Sequence, residues 1–85
     1  MSEAYQLSVH AIQRIEQRRL RPEWLVAALD GKRARQRDGT IICCDPKTRC
    51  ALVINPKTML VITALKLRPA KFRRIYSGSR SYYGR

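Results

Sequence analysis

The chain has 85 residues, 18 of them Lys or Arg and 6 Asp or Glu, for a formal net charge of +12 at pH 7. That length holds one small domain, which buries roughly 60% of its unfolded surface, and excludes a two-domain enzyme. With 45% hydrophobic residues the chain is expected to fold, and its longest apolar run, 59–65, is far shorter than the ~20 residues of a membrane helix.

Residues 1–10 contain no basic stretch leading into an apolar one, so no signal peptide and a cytoplasmic protein are expected. Ser8 is placed to cap a helix running to Arg18 or Arg19, with Ala11, Ile12 and Ile15 as its apolar stripe. Pro22 suits the first position of a second helix, Glu23 its positive end and Gly31 its stop. Trp24, Leu25, Ala28 and Leu29 form one face of that helix. The short connection makes the two a helical hairpin.

The hydrophobic period changes after Gly31. Four strands are expected, over 32–37, 40–44, 49–54 and 59–65. Asp38-Gly39 is a two-residue hairpin signal. Asp45-Pro46-Lys47-Thr48 and Asn55-Pro56-Lys57-Thr58 are near-identical turns, with Pro where its fixed φ helps. The expected fold is therefore α+β: two N-terminal helices packed on a four-stranded antiparallel meander. Residues 1–66 form the domain and 67–85 a basic tail. The tail holds a short helix from Pro69 to Tyr76, then Ser77-Gly78-Ser79, then bases interleaved with aromatics (Arg80, Tyr82, Tyr83, Arg85), a pattern seen in single-strand RNA binders.

These turn lengths set a register. Ala34, Cys43, Cys50 and Thr63 fall in one row, and Arg35, Ile42, Ala51 and Ile62 in the next. The face carrying Cys43, Cys50, Leu52, Ile54, Val61, Thr63 and Leu65 is expected to meet the helices. The other carries Arg33, Arg35, Arg37 and Arg49 around Ile42, Val53, Leu60 and Ile62, an apolar floor edged by arginines that suits a binding surface or a partner chain.

Three cysteines, Cys43, Cys44 and Cys50, are a poor disulfide framework. Reduced strand thiols are expected, with a Cys43–Cys50 bond as the alternative. One His and no CxxC pair give no metal-ligand set, and no cofactor is expected. Residues 1–31 are neutral in sum, 32–65 carry +5 and 66–85 carry +7. Such a field favours a polyanion: nucleic acid first, an acidic protein equally on charge alone, a membrane least.

His10, Arg14 and Arg18 stand at i, i+4 and i+8, one stripe of a helix. An imidazole beside two guanidiniums is a phosphate-handling set: His moves a proton near neutral pH, and Arg grips phosphate with two parallel bonds. A lone surface His with solvated arginines is the plainer reading of the same residues.

Residues 8–20, SVHAIQRIEQRRL, resemble the opening of the small bacterial DUF4258 family, whose hallmark is a helical H-A-x-x-R-x-x-x-R stretch before a second helix and a strand meander. Ile62-Thr63 resembles the family's closing Ile-Thr pair. The resemblance covers about residues 7–66, and Arg19 replaces the family's usual Gly. It implies a fold similar to RelE-type toxins and the barnase, EndoU and colicin ribonuclease group. The implied activity is metal-independent RNA cleavage, often as a toxin, at His10, Arg14, Arg18 and Thr63. A cognate acidic antitoxin belongs to the same expectation.

Two function classes follow, an endoribonuclease first and a non-catalytic binder as its alternative. An endoribonuclease would direct the RNA 2′-OH onto the adjacent phosphorus, with His10 as base or acid and Arg14 and Arg18 stabilising the developing charge. No second His is present to complete it; Tyr76, Tyr82, Tyr83 or a water are the candidates. A non-catalytic RNA- or ribosome-binding protein would use the same arginines for phosphate contacts alone. In either class Arg33, Arg35, Arg37, Arg49, Lys71, Arg73, Arg74 and Arg80 are the expected RNA contacts.

Overall fold

The structure is a computed structural model, and it describes residues 5–76. Its elements in chain order are β1 (Gln6–Leu7), α1 (Val9–Arg18), α2 (Pro22–Leu29), β2 (Lys32–Arg35), β3 (Ile41–Cys44), β4 (Cys50–Asn55), β5 (Leu60–Lys66) and α3 (Pro69–Tyr76). The strands form one sheet in the order β1-β5-β4-β3-β2, antiparallel from β5 to β2. β1 lies parallel to β5, with Gln6 opposite Leu60 and Leu7 opposite Val61. The expected α+β meander is present, but the sheet has five strands and is mixed. A two-residue strand has no periodicity of its own to read.

Both N-terminal helices form for the reasons the sequence gives. Ser8 caps α1 by accepting the Ala11 amide, and Pro22 opens α2 with Glu23 in its first turn. They pack on one face of the sheet, with Ala11, Leu20 and Ala28 against Ile41, Cys43, Cys50, Leu52, Ile54, Val61 and Ala64. The expected helix at Pro69–Tyr76 lies on the other face. Leu67 and Tyr76 there are buried with Ala34, Ile42, Cys44 and Ala51, and Phe72 and Ile75 pack alongside. Tyr76 Oη donates to the Ile42 carbonyl at 2.9 Å. Part of the apolar floor read as a partner's seat is thus covered by the chain's own third helix.

The register differs from expectation at every hairpin, and each loop ends on a residue in the left-handed region: Gly39 (φ 91°), Arg49 (φ 60°) and Met59 (φ 60°). The first loop, 37–39, is one residue longer than expected; the next two keep four residues but begin one position later, at 46–49 and 56–59, so their pairings shift by two. Gln36 and Thr40, not Arg37 and Thr40, close the first loop, through a 2.8 Å bond from the Gln36 amide. Three-residue loops of this kind end on a left-handed residue. In the next two, Arg49 donates to Asp45 and Met59 to Asn55, at 2.7 and 2.8 Å.

A bulge then inserts Ile62 into β5, because Ile54 pairs with Val61 while Val53 pairs with Thr63. The resulting row is Ala34, Ile42, Val53, Thr63. Thr63 and Leu65 therefore leave the α1–α2 face for the α3 face, and Ala64 takes their place. On β2, Ala34 turns toward α3, and Arg33 and Arg35 turn to the α1–α2 side. The four arginines do not edge a single face.

Gly31 joins α2 to β2 at a point of close approach. A Cβ there would stand 2.1 Å from the Cys44 carbonyl oxygen, so the backbone crossing admits only glycine.

Candidate nucleic-acid interface

α1 is continuous from Val9 to Arg18, so His10, Arg14 and Arg18 do share one helical stripe. Their surroundings differ. His10 is exposed and forms no hydrogen bond among the described residues. Arg14 is half-buried and its Nη1 donates to Gln17 Oε1 at 2.6 Å. Arg18 reaches back to the sheet, where its Nη1 donates to the Ala64 carbonyl at 2.8 Å. Ser8 works beside it: its amide donates to the Val61 carbonyl and its hydroxyl to Ile62 O at 2.9 Å. β1 covers only Leu60 and Val61 of β5. Beyond that point the carbonyls along this side of β5 are met by Ser8 and Arg18. The sequence showed Ser8 as a cap but gave no sign of this second role, which depends on the bulge at Ile62.

Thr63 does not join that stripe. It stands opposite Val53 on the α3 face, whereas α1 covers the other face.

The expected RNA contacts are scattered. Arg33 is half-buried and donates to the Leu29 carbonyl at 3.2 Å, neutralising the negative end of α2. Arg35 is exposed on β2, and Arg37 is exposed in the loop that follows. Arg49 forms a reciprocal clasp, its Nε donating to the Leu67 carbonyl at 3.0 Å and its own carbonyl accepting the Leu67 amide at 2.8 Å. Lys71, Arg73 and Arg74 are exposed on α3. Arg80, Tyr82, Tyr83 and Arg85 lie outside the described residues. Exposed bases not singled out from the sequence include Lys57 in the β4–β5 loop and Arg68 before α3. Their positions, in a turn and directly before a proline, were the signal for them.

Near α2, Trp24 lies under two cations, Lys66 Nζ at 5.0 Å and the Arg21 guanidinium at 5.9 Å from the ring centre. Arg21 and Glu23 make an exposed ion pair at 3.5 Å, a weak contact between solvated ends. No buried side-chain polar atom lacks a partner among the described residues.

Two carboxylates are held charged by turn hydrogen bonds. The Thr40 side chain and amide hold Asp38 below the ordinary carboxyl range. Burial alone would raise Asp45, but bonds from the Thr48 hydroxyl and amide and the Lys47 amide lower it. None of the three cysteines forms a disulfide, and all three are buried. Burial, with the nearby charge of Asp45, pushes Cys44 up to about 12 and Cys50 up to about 11, so neither is a nucleophile at neutral pH. Cys43 pairs with Leu52 rather than Cys50. Among the described residues no group of three or more His, Cys, Asp or Glu is placed to hold a metal ion, and no helix is long and apolar enough to cross a membrane.

No family model, curated protein or solved structure matches the chain. The likeness of residues 8–20 to the DUF4258 opening therefore rests on those residues themselves.

Proposed function

We propose that the protein binds RNA through its basic surface, in the manner of a small toxin-type or ribosome-associated domain. The observation that carries this reading is the imbalance of charge: 18 bases against 6 acids, with the bases of α3 and the β2–β3 and β4–β5 loops exposed. Binding by phosphate contact releases counterions, so affinity falls steeply with salt. Metal-independent cleavage of RNA is the second reading. It is favoured by His10, which stands exposed one helical turn from Arg14 and is chemically suited to move the 2′-OH proton. The placement of Arg18 on Ala64 and of Thr63 on the far face weighs toward binding.

One experiment separates the two. Labelled single-stranded RNA is titrated with the protein across a salt series in EDTA, and the RNA ends are then analysed. Binding with a log–log salt slope of about −0.7 for each phosphate contacted supports RNA binding. Salt-independent association, or none, overturns it. Products with 2′,3′-cyclic phosphate ends that vanish in His10→Ala, with binding retained, establish the cleavage reading; such a loss is about 10²–10⁴-fold. A small acidic protein that co-purifies would identify the toxin–antitoxin form.

A further inference from the structure

α3 packs nearest to β2 and leaves the β4–β5 half of its face to Val53, Leu60 and Thr63, all half-buried. Thr63 stands opposite Val53 and Leu60 opposite Asn55, so these side chains adjoin across the two strands. They make a small floor, apolar with one hydroxyl. Basic residues border it at two ends. The loop end carries Lys57 after β4 and Arg37 after β2, both exposed. The other end is α3, which carries Lys71 and Arg73 at about 100° on either side of Phe72. The flank of α3 toward the floor is basic whichever way the helix lies. The carboxylate at the loop end, Asp38, is engaged by the Thr40 hydroxyl at 2.6 Å and amide at 3.0 Å.

We infer that this floor is the seat of a single-stranded RNA segment, with unstacked bases against Val53, Leu60 and Thr63 and phosphates held by Lys57, Arg37 and the α3 bases. The inference rests on the RNA-binding reading above and gives it a location. Charge complementarity selects the occupant: a floor between two cationic borders accepts a chain whose anionic backbone flanks planar apolar faces. A duplex hides its base faces in the stack and would meet only the borders. Strand rise puts the distance from Asn55 to Val53, the levels of Leu60 and Thr63, at about 7 Å, room for one or two bases but not for a helical groove. Thr63, separated from His10 by the bulge, acquires a place here.

The test uses the intact chain, a single-stranded RNA oligonucleotide and a duplex of equal phosphate count. Amide spectra of the wild type during titration should move at Val53, Leu60, Thr63 and Lys57. Lys57→Glu, Arg37→Glu and Thr63→Glu should each weaken single-strand binding about tenfold at low salt. Arg21→Glu, the same charge change on the opposite face, should weaken it less than about threefold. The duplex should bind more weakly than the single strand. Circular dichroism establishes that each variant folds, and the wild-type spectra stand independently of any variant. Spectral changes confined to α1, equal losses at all four positions, or equal affinity for duplex and single strand would overturn the location while leaving RNA binding intact. Absence of binding by the wild type would remove the RNA reading itself.

Discussion

Arg19 ends α1 with φ 54° and ψ 46°, and its amide donates to the Glu16 and Ile15 carbonyls. This is the left-handed helix stop that glycine fills without steric cost. An L side chain there costs roughly 1 kcal/mol, and Arg19 is exposed, with little contact to offset it. Arg19→Gly is therefore expected to stabilise the protein by about 0.5–1 kcal/mol, read as a higher urea midpoint at unchanged slope. Arg49 has nearly the same backbone but behaves differently. Its Nε bond to Leu67 is lost in Arg49→Gly, so that variant should gain less than Arg19→Gly or lose stability. A larger gain at 49 than at 19 would show that the clasp contributes nothing. Of the three left-handed loop positions, Gly39 was open to reading because glycine announces it. Arg49 and Met59 were not, since neither residue type favours that region.

At the scale of elements, the edge of β5 matters most for interpreting function. Ser8 and Arg18, ten residues apart, place side chains on carbonyls two residues apart on one strand, Ile62 and Ala64. Ser8→Ala removes both the helix cap and the Ile62 bond, and should cost about 1–2 kcal/mol. Arg18→Ala leaves the Ala64 carbonyl to water and should cost about 0.5–1.5 kcal/mol. Arg14→Ala breaks only an exposed contact with Gln17 and should change the melting midpoint little. If Arg14→Ala destabilises as much as Arg18→Ala, the distinction between the two arginines fails. Any loss of RNA affinity in Arg18→Ala must accordingly be corrected for unfolding before it is read as a phosphate contact. The helices, the Ser8 cap, the Pro22 start and the strand order from β2 to β5 were legible in periodicity and Pro; the left-handed end of α1 at Arg19 was not. Nor was the bulge at Ile62: Val-Ile-Thr-Ala reads the same with or without an extra residue. That one unreadable residue moved Thr63 to the other face and divided the site the sequence had joined.

Over the whole molecule, pH dependence follows from the buried thiols. Burial favours their neutral form, raising Cys44 to about 12 and Cys50 to about 11 from an ordinary 9.0. In the unfolded chain the thiols ionise first, so the folded state binds more protons between those limits and loses stability as pH rises. The full contribution is present below pH 9 and falls away toward 11–12. Urea midpoints should decline through that range, and replacing Cys44 and Cys50 by Ala should flatten the decline while lowering stability at neutral pH. An alkaline slope unchanged by those substitutions would assign it to other groups. Asp38 and Asp45 act at the opposite end: both are lowered by turn bonds, so their contribution is present above the ordinary carboxyl value and lost as pH falls through the folded one. The charge distribution across the molecule was legible from residue counts. The sequence also put Val53, Leu60 and Arg37 on one face; that α3 covers Ile42 and supplies a second basic border was not legible, because it depends on where α3 docks on the sheet.

The parallel pairing of Gln6–Leu7 with Leu60–Val61 also has a kinetic consequence. The three hairpins close loops of a few residues each, whereas this pairing closes one of more than fifty, and the entropy of closure grows with the length enclosed. During synthesis β1 has no strand to pair with until β5 has emerged, so the meander is free to assemble first and the N-terminal strand to dock last. A residue that docks after the folding barrier slows escape from the native state without hastening arrival. Tyr5→Ala, which removes a side chain beside β1 that packs on the core, should therefore leave the refolding rate nearly unchanged and appear almost wholly as faster unfolding, making this short strand the latch that sets how long the folded molecule lasts.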